Sequence, residues 1–195
     1  MIGSLEGTIV HKTPPVVLVD VHGVGYEVET PLSVFADLPA AGEKVRLITH
    51  LHIREDGQAL FGFLDEAQRR LFRQLLKVGG VGARLALNIL SGATVAEFGA
   101  LIADGNIAAL IRLPGIGRKT AERLVVELRD RLEAGAAMPG GVAAGSRESE
   151  AQAALVALGY KPAEAARLVA QVKAPDIEVA ELIRRALRAV LKPAG

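Results

Sequence analysis

Cysteine is absent from the 195 residues of this chain. That excludes disulfide frameworks, thiolate zinc sites and cysteine nucleophiles, and it suits a reducing compartment such as the cytoplasm. A leader is missing as well. Met1-Ile2-Gly3-Ser4-Leu5-Glu6 has neither a basic start nor an apolar stretch, so no signal peptide is expected. Long hydrophobic runs are also lacking: charges break every apolar stretch well short of the roughly 18 residues that a membrane span needs. Charge of one sign is scarce, the formal net value being +1. This excludes duplex binding through a broad lysine carpet. Half of the residues are apolar, enough for a packed core.

The small net charge hides an asymmetry. Through Gly62 there are four Lys or Arg against eight Asp or Glu; from Phe63 to Ala134 there are eleven against eight; the remainder has eight against six. An acidic first part therefore precedes a basic middle, and a focused contact with nucleic acid through that middle stays open.

Three segments follow from periodicity. In the first, Val16-Val17-Leu18-Val19-Asp20-Val21 is a β-branched run closed by His22-Gly23-Val24-Gly25, and Tyr26–Thr30 and Val45–Ile53 alternate with period two. Arg54-Glu55-Asp56-Gly57-Gln58 supplies a turn, after which Ala59–Phe63 returns as a strand. With Leu5–Val10 in front, these are about five short strands, and a small closed barrel removes their edges most economically. Residues 64–134 read as helical, ending in a helix with Ala121, Leu124, Val125, Leu128 and Leu132 on one face. Residues 135–147 are rich in glycine and nearly uncharged, which predicts a flexible linker. Residues 148–195 read as three short helices, with Gly159 a C-terminal cap, Pro162 in a first turn and Pro175-Asp176 opening the third.

The middle segment contains a repeat. Leu75-Leu76-Lys77-Val78-Gly79-Gly80-Val81-Gly82-Ala83-Arg84-Leu85-Ala86 aligns with Leu110-Ile111-Arg112-Leu113-Pro114-Gly115-Ile116-Gly117-Arg118-Lys119-Thr120-Ala121 at an offset of 35. The pattern predicts a helix that ends, a turn through Gly-Val/Ile-Gly, and a second helix that starts at once. Glycines let a ligand approach the backbone closely, and the new helix presents unpaired N–H groups at the positive end of its dipole. Arg84 and Lys119 fall in that first turn, facing the same anion. A phosphate is the natural guest, and two copies suit the two backbones of a duplex. Such contacts fix position without reading bases.

Both copies resemble helix-hairpin-helix motifs, and Leu113–Leu124 is similar to the form found in the RuvA family. Met1-Ile2-Gly3, His22-Gly23-Val24-Gly25-Tyr26, Arg54-Glu55-Asp56, Phe61-Gly62-Phe63, Ala153–Tyr160 and Leu182–Leu187 match that family in order. The resemblance implies a multidomain α+β chain with an OB-type barrel (1–63), an all-α tandem hairpin domain (64–134) and a three-helix, UBA-like bundle (148–195). It implies a non-catalytic homotetramer, singly or paired as an octamer, that holds four-way DNA junctions. A RuvB-type ATPase docks on the third domain, a RuvC-type resolvase shares the complex, and no cofactor or membrane is involved. Carried onto this chain, the phosphate contacts fall on Gly80, Gly82, Arg84, Gly115, Gly117, Arg118, Lys119 and Arg123. Glu55 and Asp56 fall at an acidic pin, where carboxylates repel phosphates from the junction centre. Leu158, Tyr160, Leu182, Ile183 and Leu187 are the candidate motor contacts. One departure stands out: the family's first hairpin usually reads Asn-Gly-Val-Gly-Pro-Lys, whereas Gly79 and Ala83 here lack the Asn side chain and the proline, which predicts a looser hairpin.

Other motifs carry less. Gly115–Thr120 suggests a P-loop superficially, but Arg118 and Arg112 stand where a P-loop needs Lys and Gly. His50 and His52 share a strand face without further ligands nearby, so a structural role outweighs a metal site. Helix-hairpin-helix pairs also serve as grips in repair enzymes, but no catalytic constellation is legible. A protein-binding adaptor would keep its DNA affinity unchanged without Arg118 and Lys119.

Overall fold

The computed structural model describes residues 1–54, 57–134, 146–174 and 177–191, with backbone alone at 130–134, 190 and 191. The chain divides into two compact units, Met1–Arg131 and Leu132–Gly195.

The first unit begins with five strands: β1 (Ser4–Thr13), β2 (Val16–Val21), β3 (Val24–Glu29), β4 (Lys44–Arg54) and β5 (Gly57–Phe63). They close into a barrel in the order β1-β2-β3-β5-β4. Every pairing is antiparallel except β3 with β5, which run parallel with Glu29 beside Phe61. This is the OB-type barrel expected from the sequence. Alternation fills its interior with Leu5, Ile9, Val17, Val19, Val28, Val45, Leu47 and Leu60. The buried Thr49 is satisfied, its hydroxyl donating to the Ile2 carbonyl at 2.8 Å.

A short helix, α1 (Leu32–Asp37), lies between β3 and β4 and was not legible in the sequence. Its six residues follow Pro31, have no side-chain cap and are too short to show a period. Tertiary contacts hold it instead. The Ser33 hydroxyl donates to the Leu90 carbonyl at 2.8 Å, and the Leu32 N–H donates to the Ser91 hydroxyl at 2.8 Å. Val34 is buried in the barrel core.

Five helices complete the first unit: α2 (Glu66–Leu75), α3 (Ala83–Gly92), α4 (Val95–Ala103), α5 (Ile107–Leu110) and α6 (Arg118–Ala134). The Asp65 side chain caps α2, Thr94 and Glu97 form a capping box on α4, and Asn106 caps α5. Strand β5 joins barrel to helices because both of its faces are buried. Leu60 points into the barrel, while Phe61 and Phe63 pack outward on Phe72 of α2 with ring centroids 4.9 and 5.1 Å apart. Beside this cluster Arg69 donates from Nη1 to the carbonyls of Gly3 (2.8 Å) and Thr49 (3.0 Å), pinning α2 onto β1 and β4. Of the apolar face read on the last helix, Ala121, Leu124 and Leu128 are buried and Val125 partly so; the Leu132 side chain lies outside the described residues.

The second unit holds α7 (Arg147–Ala157), α8 (Pro162–Val172) and α9 (Val179–Leu191) around Ala151, Leu155, Ala165, Leu168, Val169, Leu182 and Ala186. Gly159, at φ +100°, ends α7: its N–H bonds to Val156 O and the Tyr160 N–H to Leu155 O, the paired bonds of a Schellman cap. The helix starts slightly earlier than read, because the Ser146 hydroxyl caps it and Arg147 is its first residue. Residues 135–145 of the expected linker, and Pro175-Asp176, lie outside the described residues. Among the described residues no single helix is long and apolar enough to cross a membrane.

His50 on β4 gives the first unit a pH-dependent element. Its ring stands edge-on to Phe72, centroids 5.6 Å apart, and its Nδ1 accepts from Arg73 Nε at 3.2 Å. Burial foremost, then the charges of Arg73, His52 and Arg69, lower its pKa below 6.5. The folded protein therefore favours neutral imidazole more than the unfolded chain does. That stability is present above pH 6.5 and is lost as pH falls from 6.5 through the depressed folded value. Thermal melts between about pH 7.5 and 5.5 will show a smaller drop in Tm for His50→Gln than for the parent; equal drops would remove His50 from the account.

Candidate nucleic-acid interface

The two glycine hairpins match in conformation as well as in sequence. Gly80 and Gly115, 35 residues apart, have φ of +83° and +85°, a left-handed backbone that a β-carbon disfavours. Their turn bonds repeat at the same offset. Val78 N donates to Leu75 O and Leu113 N to Leu110 O, at 3.0 and 3.1 Å; Val81 N donates to Val78 O and Ile116 N to Leu113 O, at 3.1 and 3.2 Å. Their anchors match too, with Val81 and Ile116 each 5 % exposed and Ala86 and Ala121 fully buried. The apolar residue inside each Gly-x-Gly is thus a peg that holds the turn on the core.

Beyond each turn a helix begins on glycine. Ala86 N donates to Gly82 O and Ala121 N to Gly117 O, at 3.0 and 2.9 Å, so these glycines open α3 and α6. Gly82 makes no side-chain cap, unlike Asp65, Thr94 and Asn106 at neighbouring helices. Its φ of −89° suits any residue. A β-carbon at Gly82 or Gly117 would meet nothing within 4 Å. Nothing inside the protein demands glycine there, whereas a close external approach would. The basic residues follow: Arg84 and Lys119 sit on the first turns of α3 and α6. Arg118 is 81 % exposed and its Nε meets Glu122 at 3.0 Å, a pair of the weak surface kind. Since Ala83 stands opposite Arg118 in the repeat, the second hairpin carries two cations where the first carries one.

The hairpins brace one another reciprocally. Hairpin one packs on α6: Arg123 Nη1 donates to the Gly79 carbonyl at 2.8 Å, and a β-carbon at Gly79 or Gly80 would stand 3.3 or 3.4 Å from that nitrogen. Hairpin two packs on α3: a β-carbon at Gly115 would stand 3.1 Å from Leu85 Cδ1 and 3.8 Å from Asn88 Nδ2. Asn88 is the counterpart of Arg123 at the repeat offset, and Gly92, packed on Leu113 and Pro114, is the counterpart of Glu127, which lies beside Gly79. The contacts are those of a local twofold. They also answer the departure at Gly79. The first hairpin keeps the geometry of the second because the Arg123 guanidinium fills the room that a side chain at 79 would take. Sequence reading assigned Arg123 to phosphate alone and missed this brace, since neither partner's identity reports it.

A cleft of about 430 Å³ runs from hairpin one to the barrel, lined by Gly82, Ala83 and Arg84 on one side and by Glu29, His52, Arg54, Gln58 and Phe61 on another. Glu55 and Asp56, between β4 and β5 in the chain, lie outside the described residues. His50 and His52 have ring centroids 6.1 Å apart, and each offers a nitrogen to an arginine, Arg73 and Arg54 respectively. In the second unit Leu158 is 63 % exposed, while Tyr160, Ile183 and Leu187 pack partly against the core. Leu182 corrects the sequence reading: it is fully buried between the helices and has no surface to offer a partner.

The brace predicts a specific effect. Arg123→Ala removes a charge-assisted hydrogen bond, costing on the order of 1 kcal/mol at this exposed position. Hydrogen exchange on the DNA-free protein should show the amides of residues 78–82 exchanging about fivefold faster. Unchanged exchange would leave Arg123 a surface cation and nothing more.

Comparison with known proteins agrees with this architecture. The RuvA N terminal domain family matches residues 1–62, the SAM-like helix-hairpin-helix tandem family residues 72–130, and the RuvA C-terminal domain family residues 146–191. Proteins named Holliday junction branch migration complex subunit RuvA are similar over 98 % of this chain and the whole of their own length. They include those of Thioalkalivibrio sulfidiphilus (56 % identical), Xanthomonas campestris pv. campestris (53 %) and Stenotrophomonas maltophilia (52 %). With three domain families matched in order and more than half the residues shared with full-length relatives, the chain belongs to the RuvA family.

Proposed function

We propose that this chain is a non-catalytic subunit that holds four-way DNA junctions for branch migration. One observation carries the reading: two hairpins of equal geometry each open a helix on a glycine with free space in front of it and a basic residue in the first turn. In this reading Gly80, Gly82 and Arg84 hold one phosphate run, and Gly115, Gly117, Arg118 and Lys119 hold another. Arg123 braces the pair and adds its charge. The local twofold between the hairpins suits the dyad that relates the two strands of a duplex, and contacts of this kind are independent of base sequence. Glu55 and Asp56 are the acidic pair that keeps phosphates off the junction centre.

Family membership supports the rest of the reading. Four copies, singly or as two facing tetramers, supply one hairpin pair to each arm. The three-helix unit docks a RuvB-type ATPase that drives the arms, with exposed Leu158 the leading contact, and a RuvC-type resolvase works on the same junction. The complex acts in the cytoplasm in recombination and repair.

A gel-shift competition with Mg²⁺ and without ATP tests the reading. A labelled junction should stay bound against a large excess of linear duplex of the same sequence, without cleavage. Equal competition would reduce the protein to a generic duplex grip, and cleavage products would make it a repair enzyme. Replacing Arg118 and Lys119 together by Ala should weaken binding and lower the slope of log K against log salt by about 0.9 for each phosphate no longer neutralised; unchanged affinity would favour an adaptor.

A further inference from the structure

The repeat carries a second basic position that the hairpin contacts leave unused. Lys77 stands 35 residues before Arg112, as Arg84 stands 35 before Lys119. The backbone repeats there as well. Helices α2 and α5 end at Leu75 and Leu110, and the caps Leu76 and Ile111 keep a right-handed helical conformation. The N–H groups of Lys77 and Arg112 then donate to Gln74 O and Ala109 O, both at 3.1 Å. Val78 turns inward just after and is buried, and Leu113 packs partly on the same core. Lys77 and Arg112 are left exposed, each three residues before the left-handed glycine of its turn. Arg84 and Lys119 are exposed four residues after that glycine. Each turn thus has a cation before it and a cation after it, with exposed glycines between.

Nothing inside the protein accounts for the pair. Among the described residues neither side chain has a hydrogen bond or an ion pair. A cation after a helix can stabilise the negative end of its dipole. That would serve α2, although Arg73 already occupies its last turn. It would do little at α5, whose four residues sum to a small dipole. A lone exposed charge would carry no weight; here the same charge returns in the same backbone setting beside the same turn.

We infer that Lys77 and Arg112 are outer phosphate contacts, each taking the phosphate next to the one held at Gly82 and Arg84 or at Gly117 and Lys119 on the same strand. The inference rests on the junction-holding reading above and extends it, lengthening the run that each hairpin holds. The glycine turn lies against the strand between the two phosphates, where a side chain would stand in the way. An ammonium meets a phosphate as a point charge and a guanidinium meets it as a fork, so lysine and arginine both serve. Neither reads a base, and the contact stays independent of sequence. The outer cation is a larger share of the charge at hairpin one, where Ala83 stands in the place of Arg118.

The test places neutral methylphosphonates one at a time along an arm of a four-way junction bound by the full-length protein. The parent should show one run of interference on each strand. Lys77→Gln should shorten one run by a single phosphate at its end, and Arg112→Gln should shorten the other, on the opposite strand. Each variant should also weaken junction binding about fivefold for every arm engaged. The slope of log K against log salt should fall by about 0.9 for each phosphate no longer neutralised. Lys77→Arg and Arg112→Lys keep the charge and should restore both the slope and the lost phosphate. Melting temperatures of the DNA-free variants should match the parent's. A lower Tm with an unchanged slope would make the pair helix caps and overturn the inference. Runs of full length in both variants, or shortening of the same strand by both, would overturn it as well. If the parent shows no run on each strand, the underlying reading fails instead.

Discussion

A left-handed glycine at positions 80 and 115 is the constraint on which the helical half of the first unit depends. A positive φ there lets the chain leave one helix, enter the next after a short turn, seat Val81 or Ile116 in the core, and bring Gly82 or Gly117 to the surface as the start of a helix. With a β-carbon at either position the turn would be strained and would press on the opposite helix, where Arg123 or Leu85 already stands. The same glycine therefore sets the local turn and the spacing between the two turns. In the proposed role, where one duplex with backbones a fixed distance apart meets both turns, that rigid spacing matters as much as the turns themselves.

The barrel is fastened to this hairpin pair by contacts of different kinds. The Phe61, Phe63 and Phe72 cluster supplies apolar burial, Arg69 supplies hydrogen bonds to two barrel carbonyls, and Ser33 and Ser91 tie α1 to α3. An acidic barrel is thus held against a basic hairpin region.

The sequence made much of this legible because the chemistry is repeated. Two Gly-Val/Ile-Gly turns at a constant offset, each followed by Arg84 or Lys119, identify themselves by their recurrence. Strand alternation over Tyr26–Thr30 and Val45–Ile53 revealed the barrel for a similar reason: period two survives wherever one face is core. What escaped is structure set by contacts distant in sequence. Helix α1 is too short to carry a period and is held by Ser91 and Leu90, almost 60 residues away. The Arg123 brace joins residues 44 apart, and neither an arginine nor a glycine announces it. Leu182 and Ile183 are adjacent on an amphipathic stripe, and only packing reveals that the first is core and the second half-open.

In the proposed function two equivalent hairpins hold one phosphate run on each strand of an arm. A methylphosphonate interference scan is the sharpest check: the phosphates of one junction arm are neutralised one at a time and binding of the full-length protein is measured. Two short runs of interference are expected in each arm, on opposite strands and facing each other across a groove, with the run opposite hairpin two vanishing in Lys119→Ala. Interference confined to one strand, or spread evenly along both, would contradict it.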